Sequence, residues 1–277
     1  MLTFINKGNT CWFNSALQIV LHVPQIANIM RNDIFQKMLV LKRKNASDFA
    51  LELSRLATKY WSTDVQEEAY DVSVLLDLFT KINRNFGGRK MYDASECFLK
   101  ILDTLETAFV LKPPFPLPPT CNSAAWEEHV KKTNSTFLSD VFMGQAKQTY
   151  KDSVTYEHFN ALTISGVSSV ERGIENYRRD DDVGITREFT KLPMILPILF
   201  QKNAEKHFVH YDVTLTIDDC NYVLFAVLLH QNAHWRTMAN AGNWYLFDDD
   251  HMTRIYDLNA LIQKDAILLL YKRHVVK

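Results

Sequence analysis

Cysteine is scarce in this chain of 277 residues: Cys11, Cys97, Cys121 and Cys220 are its four, widely scattered, with no C-x-x-C pair. That spacing excludes a zinc ribbon and a dithiol redox motif, and it suits thiols that stay reduced. His207 and His210 have a ligand-like spacing, but no cysteine lies near to complete a set. No metal and no cofactor are expected. Charge of one sign is lacking too. With 31 Lys plus Arg against 32 Asp plus Glu the net charge is −1, too little field to draw the chain onto nucleic acid or acidic lipid. No apolar run approaches the roughly 18 residues of a membrane span, and the opening Met1 to Lys7 is too short and too polar for a signal peptide. The expectation is a cytoplasmic or nuclear protein with neither a membrane nor a nucleic-acid partner.

Gly and Pro number only eight each, and mean hydropathy is −0.16, which excludes collagen-like or disordered bulk. What remains is long enough to bury a large core without staples. Apolar periodicity predicts helices around Asn14 to Leu21, Ser47 to Trp61, Val72 to Ile82 and Ala94 to Phe109. Five of the prolines then crowd into Lys112 to Pro119, a stretch that sustains neither helix nor central strand and marks a boundary. Beyond it, β-branched and aromatic residues predict strands at Phe137 to Gln148, Leu162 to Ile164, Leu192 to Gln201, His207 to Ile217 and Asn221 to His230, with two more before Lys277. Arg178 to Asp182 is a charge cluster that reads as a solvated turn. The fold class is α+β, helices first and sheet second.

Two segments carry chemistry. Asn6-Lys7-Gly8-Asn9-Thr10 is a polar, turn-forming run ahead of Cys11, with Asn9 or Thr10 able to cap the helix that follows. Cys11 then falls in the first turn, where unpaired N–H groups and the positive helix end favour a thiolate. An ordinary thiol of pKa ~8.5 is only about 3% ionised at pH 7, so a nucleophile there needs a base. Near the other end, aromatic-rich runs flank Asn240-Ala241-Gly242, which has the form of a three-residue hairpin loop. Pairing Ala239 with Asn243 brings His234 opposite Asp248, about 4.5–5.5 Å apart at Cβ. The carboxylate would fix the imidazole tautomer and leave the other nitrogen to take the thiol's proton. Asp93 and Glu96 have the spacing of a capping box, opening a helix with an apolar stripe from Ala94 to Phe109.

These residues resemble the ubiquitin-specific proteases, papain-like cysteine peptidases. Asn6 through Asn14 is similar to that family's cysteine box, Ala233-His234-Trp235 through Trp244 to Asp249 to its histidine box, and Tyr92 to Leu99 with Leu102-Asp103 to its intervening helix. The resemblance implies a single catalytic domain over 1–277, with a helical thumb (1–112), a crossover (113–136), fingers with part of the palm (137–217) and a palm carrying the histidine box (218–277). It implies a thiol hydrolase cutting after the C-terminal Gly of ubiquitin through a thioester. Cys11 would be nucleophile, His234 base, Asp248 orienting acid, Asn6 oxyanion donor and Asp249 a helper. Asp93 and Glu96 would meet the basic tail of ubiquitin, with Trp235 shaping the channel. Ala233-His234-Trp235 replaces the usual Gly-His-Tyr, Tyr92 the usual Gln, and residues 144–199 lack the cysteines of a fingers zinc site. Shortened fingers leave open another modifier (SUMO, NEDD8 or an interferon-induced relative), and a separate alternative, weakened by the presence of all three catalytic residue types, is an inactive ubiquitin-binding scaffold. A monomer is expected, and the short lead before Asn6 suits a minimal enzyme or a trimmed catalytic domain.

Overall fold

The computed structural model describes residues 1–63, 69–88, 90–109, 124–132, 135–201 and 208–274. The proline-rich run from Lys112 to Pro119, Cys121 and His207 lie outside them. In chain order come the helices α1 (Cys11–His22), α2 (Pro24–Met30), α3 (Lys44–Tyr60), α4 (Ser73–Ile82) and α5 (Ala94–Ala108). Next are α6 (Ala124–Lys132), α7 (Phe137–Phe142), β1 (Gly144–Tyr150), β2 (Ser153–Phe159), β3 (Leu162–Ile164) and α8 (Val170–Arg178). The strands β4 (Arg179–Asp180), β5 (Ile185–Lys191), β6 (Ile195–Phe200), β7 (Thr214–Ile217), β8 (Cys220–Gln231), β9 (His234–Asn240), β10 (Trp244–Asp248), β11 (His251–Ile255) and β12 (Ala266–Arg273) follow. The chain divides into two compact units, Met1–Pro114 with Ala226–Ala260, and Phe115–Phe225 with Leu261–Lys277.

The first unit is organised by α1, whose twelve residues are all buried. A helix enclosed all round is mainly apolar and pairs most of its polar groups, although Trp12 Nε1, Asn14 Oδ1 and His22 Nε2 are buried here without a partner. Leu17, Ile19, Val20 and Leu21 supply the apolar surface at 0% exposure. Gln18 donates to the Leu2 carbonyl at 3.0 Å and accepts from the Tyr60 hydroxyl at 2.5 Å. α5 and α2 pack on one part of α1, β9 and β10 on another, and the Thr237 hydroxyl on β9 donates to the Ser15 carbonyl at 2.9 Å. The end of β8 with β9, β10 and β11 forms an antiparallel meander. Trp235, Thr237, Ala239 and Phe247 are buried on one face of it, and Met238 and Trp244 on the other, so both faces are partly covered.

The second unit holds an antiparallel sheet in the order β2-β1-β5-β4. It also holds β12 antiparallel to β6, which is parallel to β3, and β7 against the start of β8.

Several expectations need correction here: of His207 to Ile217 only Thr214–Ile217 is described as strand, and four strands rather than two follow His230. Phe137 to Gln148 is not one strand: α7 precedes β1, because Thr136 and Ser139 form a reciprocal capping box. The buried Lys191 ammonium then binds the Ser139 and Met143 carbonyls at 2.9 and 2.5 Å, tying down the helix end. Capping and tertiary contacts thus override β propensity. Arg178 to Asp182 is not wholly a turn: Arg178 ends α8, and Arg179 and Asp180 pair with Thr186 and Ile185. No described helix is long and apolar enough to cross a membrane.

Candidate active site

The loop before α1 is organised by Asn6. Its side-chain oxygen accepts from the backbone N–H of Gly8 (2.9 Å) and of Thr10 (3.2 Å) and from the Thr10 hydroxyl (3.2 Å). Three donors on one side fix the amide's orientation. Its NH2 therefore faces outward, and donates to Asp249 Oδ2 at 2.7 Å. Asn9 at φ 56° and Gly8 at φ 95° make the sharp reversal that this needs. Thr10 then occupies the N-cap without a side-chain cap bond, its carbonyl receiving the N–H of Phe13 and Asn14. Cys11 is the first helical residue and only 3% exposed.

Trp12, next along, packs on Phe13, Phe79, Phe86 and Tyr92, with ring centroids 5.1–6.5 Å apart. This cage locks the start of α1 in direction, so Cys11 cannot swing with a fraying helix end.

Burial pushes the Cys11 thiol up from its ordinary value. The Trp235 N–H donates toward the sulfur and opposes the rise, the Asp249 carboxylate adds to it, and the N–H groups of Trp12 and Cys11 oppose it more weakly. The helix start does not leave the thiol acidified, because desolvation of a thiolate outweighs a few N–H dipoles. A proton acceptor beside it is all the more needed.

The residue before Trp235 is His234, a candidate for that acceptor, whose Nε2 lies 2.6 Å from Asp248 Oδ1. With Nε2 engaged by the carboxylate, Nδ1 is the ring nitrogen left to exchange a proton with another group. His234 and Asp248 side chains are 38% and 41% exposed, so the pair opens to solvent.

Their route together differs from the expected register. Asn240 pairs with Trp244 and Thr237 with Phe247, so the loop is Ala241-Gly242-Asn243, closed by Ala241 N–H donating to the Asn243 carbonyl at 2.9 Å. Relative to the pairing of Ala239 with Asn243, the ladder is displaced by two residues. Two residues preserve the face, and His234 reaches Asp248 as a diagonal neighbour, within range of a long side chain.

Asp249 is where the chain's two ends are tied. It adopts φ 51° at the turn after β10, its Oδ1 accepts from the Asn14 amide at 2.8 Å, and its carbonyl accepts from Phe4 N–H at 2.9 Å. Asn14, one turn beyond Cys11, was not expected at the site. Nothing in the local sequence marks it, although Asn buried in a helix signals a partner elsewhere. His234, Asp248 and Asp249 could each offer a ligand atom within 4.8 Å of the others. Both Asp249 oxygens, however, already accept amide N–H groups, and Asp248 Oδ1 faces His234, a hydrogen-bonded set rather than bare donors aimed at an ion.

The remaining predicted residues fall as follows. Asp93 caps α5, accepting from Ser95 N–H at 2.7 Å and Glu96 N–H at 3.0 Å, and Glu96 is exposed in the first turn. Trp235 is 4% exposed, stacked on His230 with centroids 4.2 Å apart. His210 is exposed and lies 3.5 Å from Asp212.

The family described as ubiquitin carboxyl-terminal hydrolase matches residues 3–271. Ubiquitin carboxyl-terminal hydrolase 15 of Xenopus tropicalis is 27% identical over 193 residues, covering 62% of this chain and 19% of the relative. The chain thus spans about a fifth of that relative's length. Among solved structures, the SAGA Ubp8/Sgf11/Sus1/Sgf73 DUB module matches with a TM-score of 0.78 at 18% identity, over 100% of this chain and 68% of the other. The same module bound to ubiquitin aldehyde matches at 0.76 and 17%, over 100% and 70%. With the fold shared along its whole length and the family match running from Thr3 to Tyr271, the chain belongs to the ubiquitin carboxyl-terminal hydrolase family.

Proposed function

We propose that the protein is a cysteine deubiquitinase, a thiol-dependent hydrolase that cleaves isopeptide or peptide bonds after the C-terminal Gly of ubiquitin. One observation carries the reading: the backbone N–H of Trp235, next to His234, faces Cys11 closely enough to favour its thiolate, while His234 itself is held by Asp248 at 2.6 Å. In the reaction His234 Nδ1 takes the thiol proton and Sγ attacks the Gly carbonyl. The Asn6 NH2 group stabilises the tetrahedral oxyanion, and Asp249, bonded to that amide, holds it in position. Collapse breaks the C–N bond, with the amine leaving on the proton held by His234. Water, deprotonated by the same imidazole, then splits the thioester and restores the thiol.

Ubiquitin as the modifier is supported by family membership. Asp93, Glu96 and Trp235 are carried as the residues shaping the path of the modifier's tail. The thumb, crossover, fingers and palm boundaries at 1–112, 113–136, 137–217 and 218–277 belong to the same reading, as do a monomeric state and a cytoplasmic or nuclear location. Parallel cleavage of fluorogenic ubiquitin, SUMO, NEDD8 and interferon-induced modifier conjugates tests it. Ubiquitin should be fastest and Cys11→Ala inert. Faster turnover of another modifier would reassign the substrate, and ubiquitin binding without turnover would leave a scaffold.

A further inference from the structure

Of the side chains near the site, His230 has no part in the reaction as drawn, yet it stands at the base of the hairpin that carries His234. β8 and β9 are joined by two residues only, since Gln231 pairs with His234. Both turn residues are left-handed, Asn232 at φ 51° and Ala233 at φ 61°. Such turns match the strand twist, and their second position is ordinarily glycine. Alanine there weights the turn against its closed form by about tenfold. The strained tip is directly followed by His234 and by the Trp235 amide, which faces Cys11 closely enough to oppose the rise of its thiol. Next to the tip, His230 pairs with Trp235 across the strands, their rings stacked at 4.2 Å and 21°. Trp235 is 4% exposed, so its ring has little freedom. Arg236 also reaches back across the hairpin, 3.3 Å from Gln231 Oε1.

We infer that His230 is a positioning residue: its ring, clamped on Trp235, holds the alanine-strained hairpin closed and so keeps His234 and the Trp235 amide in register with Cys11. The inference rests on the catalytic reading of Cys11 and His234. It predicts that the clamp becomes dispensable once the strain is removed. A ring serving only to fill space would need replacing whatever residue 233 is.

The test uses the full chain as wild type, His230→Ala, His230→Phe and the double variant His230→Ala with Ala233→Gly. kcat and KM are measured on a fluorogenic ubiquitin C-terminal amide, Tm by scanning calorimetry, and amide exchange at Trp235 by NMR. His230→Ala should lower kcat about tenfold, with KM within about twofold, and speed Trp235 exchange by a similar factor. His230→Phe, which keeps a stacking face, should stay within about twofold of wild type. Ala233→Gly should restore most of the kcat and exchange protection lost by His230→Ala. If His230→Ala fails to fold, His230→Leu, which fills the space without a ring face, replaces it with the same expectations.

Wild-type kcat and exchange in His230→Ala would overturn the inference, as would a loss that Ala233→Gly does not restore. An inactive wild type would instead sink the catalytic reading. The exchange measurement would then still decide whether the clamp closes the hairpin.

Discussion

Protonation of His22 should be the main acid weakness of the first unit. The side chain sits at the end of α1, 3% exposed, between the rings of Tyr60, Trp61 and Phe247. Its Nδ1 lies 2.7 Å from the Gln18 carbonyl, which requires the proton on Nδ1, while Nε2 is buried without a partner. Burial lowers its pKa from 6.5 to about 4, against a smaller upward pull from the Gln18 carbonyl.

A folded pKa below the unfolded one means that the unfolded chain binds the extra proton first. The stabilisation is therefore full above pH 6.5 and is lost as pH falls toward 4. Linkage puts the loss between pH 7 and pH 5 at about 2 kcal/mol for this group alone. His22→Leu abolishes the titration while keeping an apolar side chain of similar bulk. Urea unfolding of both proteins at pH 7 and pH 5 isolates the difference, since all other groups titrate alike in the two. Wild type should lose about 2 kcal/mol more than His22→Leu, and the His22 ring resonance should titrate near pH 4. Equal losses in both proteins, or a titration near 6.5, would refute the reasoning.

Other expectations follow from the same structure. On the proposed mechanism Asn6→Ala removes the oxyanion donor together with the acceptor that holds Gly8 and Thr10, and should lower kcat by at least about 100-fold with ubiquitin affinity retained, measured by steady-state kinetics and by binding to the Cys11→Ala background. Ala233→Gly relieves the left-handed alanine but frees the unfolded chain, a net gain of roughly 0.5–1 kcal/mol in chemical unfolding. Gly144→Ala should cost about 1–3 kcal/mol, because a Cβ there would lie 2.1–2.7 Å from the Phe159 ring, and Phe159→Leu should recover part of it in the double variant. His234→Ala leaves Cys11 with a thiol raised by burial, so its alkylation by iodoacetamide should be slow at pH 7 and accelerate only well into the alkaline range.

The helices around Cys11 were legible because their apolar periodicity agrees with their burial: α3, α4 and α5 begin and end within about three residues of the predicted spans. The candidate site was legible as residue types and as a shared sheet face, but not as a register. A three-residue loop can begin at Asn240 or Ala241, and only the Ala241 to Asn243 bond selects the second. α8 escaped notice because Gly173 interrupts its pattern. A Cβ at that position would stand 2.6 Å from Ile164, so the glycine marks close packing of α8 on β3 rather than a break. β2 escaped because six of its seven residues are exposed, which leaves no two-residue alternation of hydrophobicity to detect. The Asn14–Asp249 and Asn6–Asp249 bonds span 235 and 243 residues of sequence, and no local rule pairs amides with a carboxylate across such a distance.

The central claim, that Cys11 is a nucleophile served by His234, is tested most directly by reacting the protein with ubiquitin bearing a C-terminal electrophile and mapping the adduct by mass spectrometry. The account predicts one adduct, on Cys11, absent from Cys11→Ala and formed far more slowly by His234→Ala. No adduct, or one carried on Cys97, Cys121 or Cys220, would contradict it.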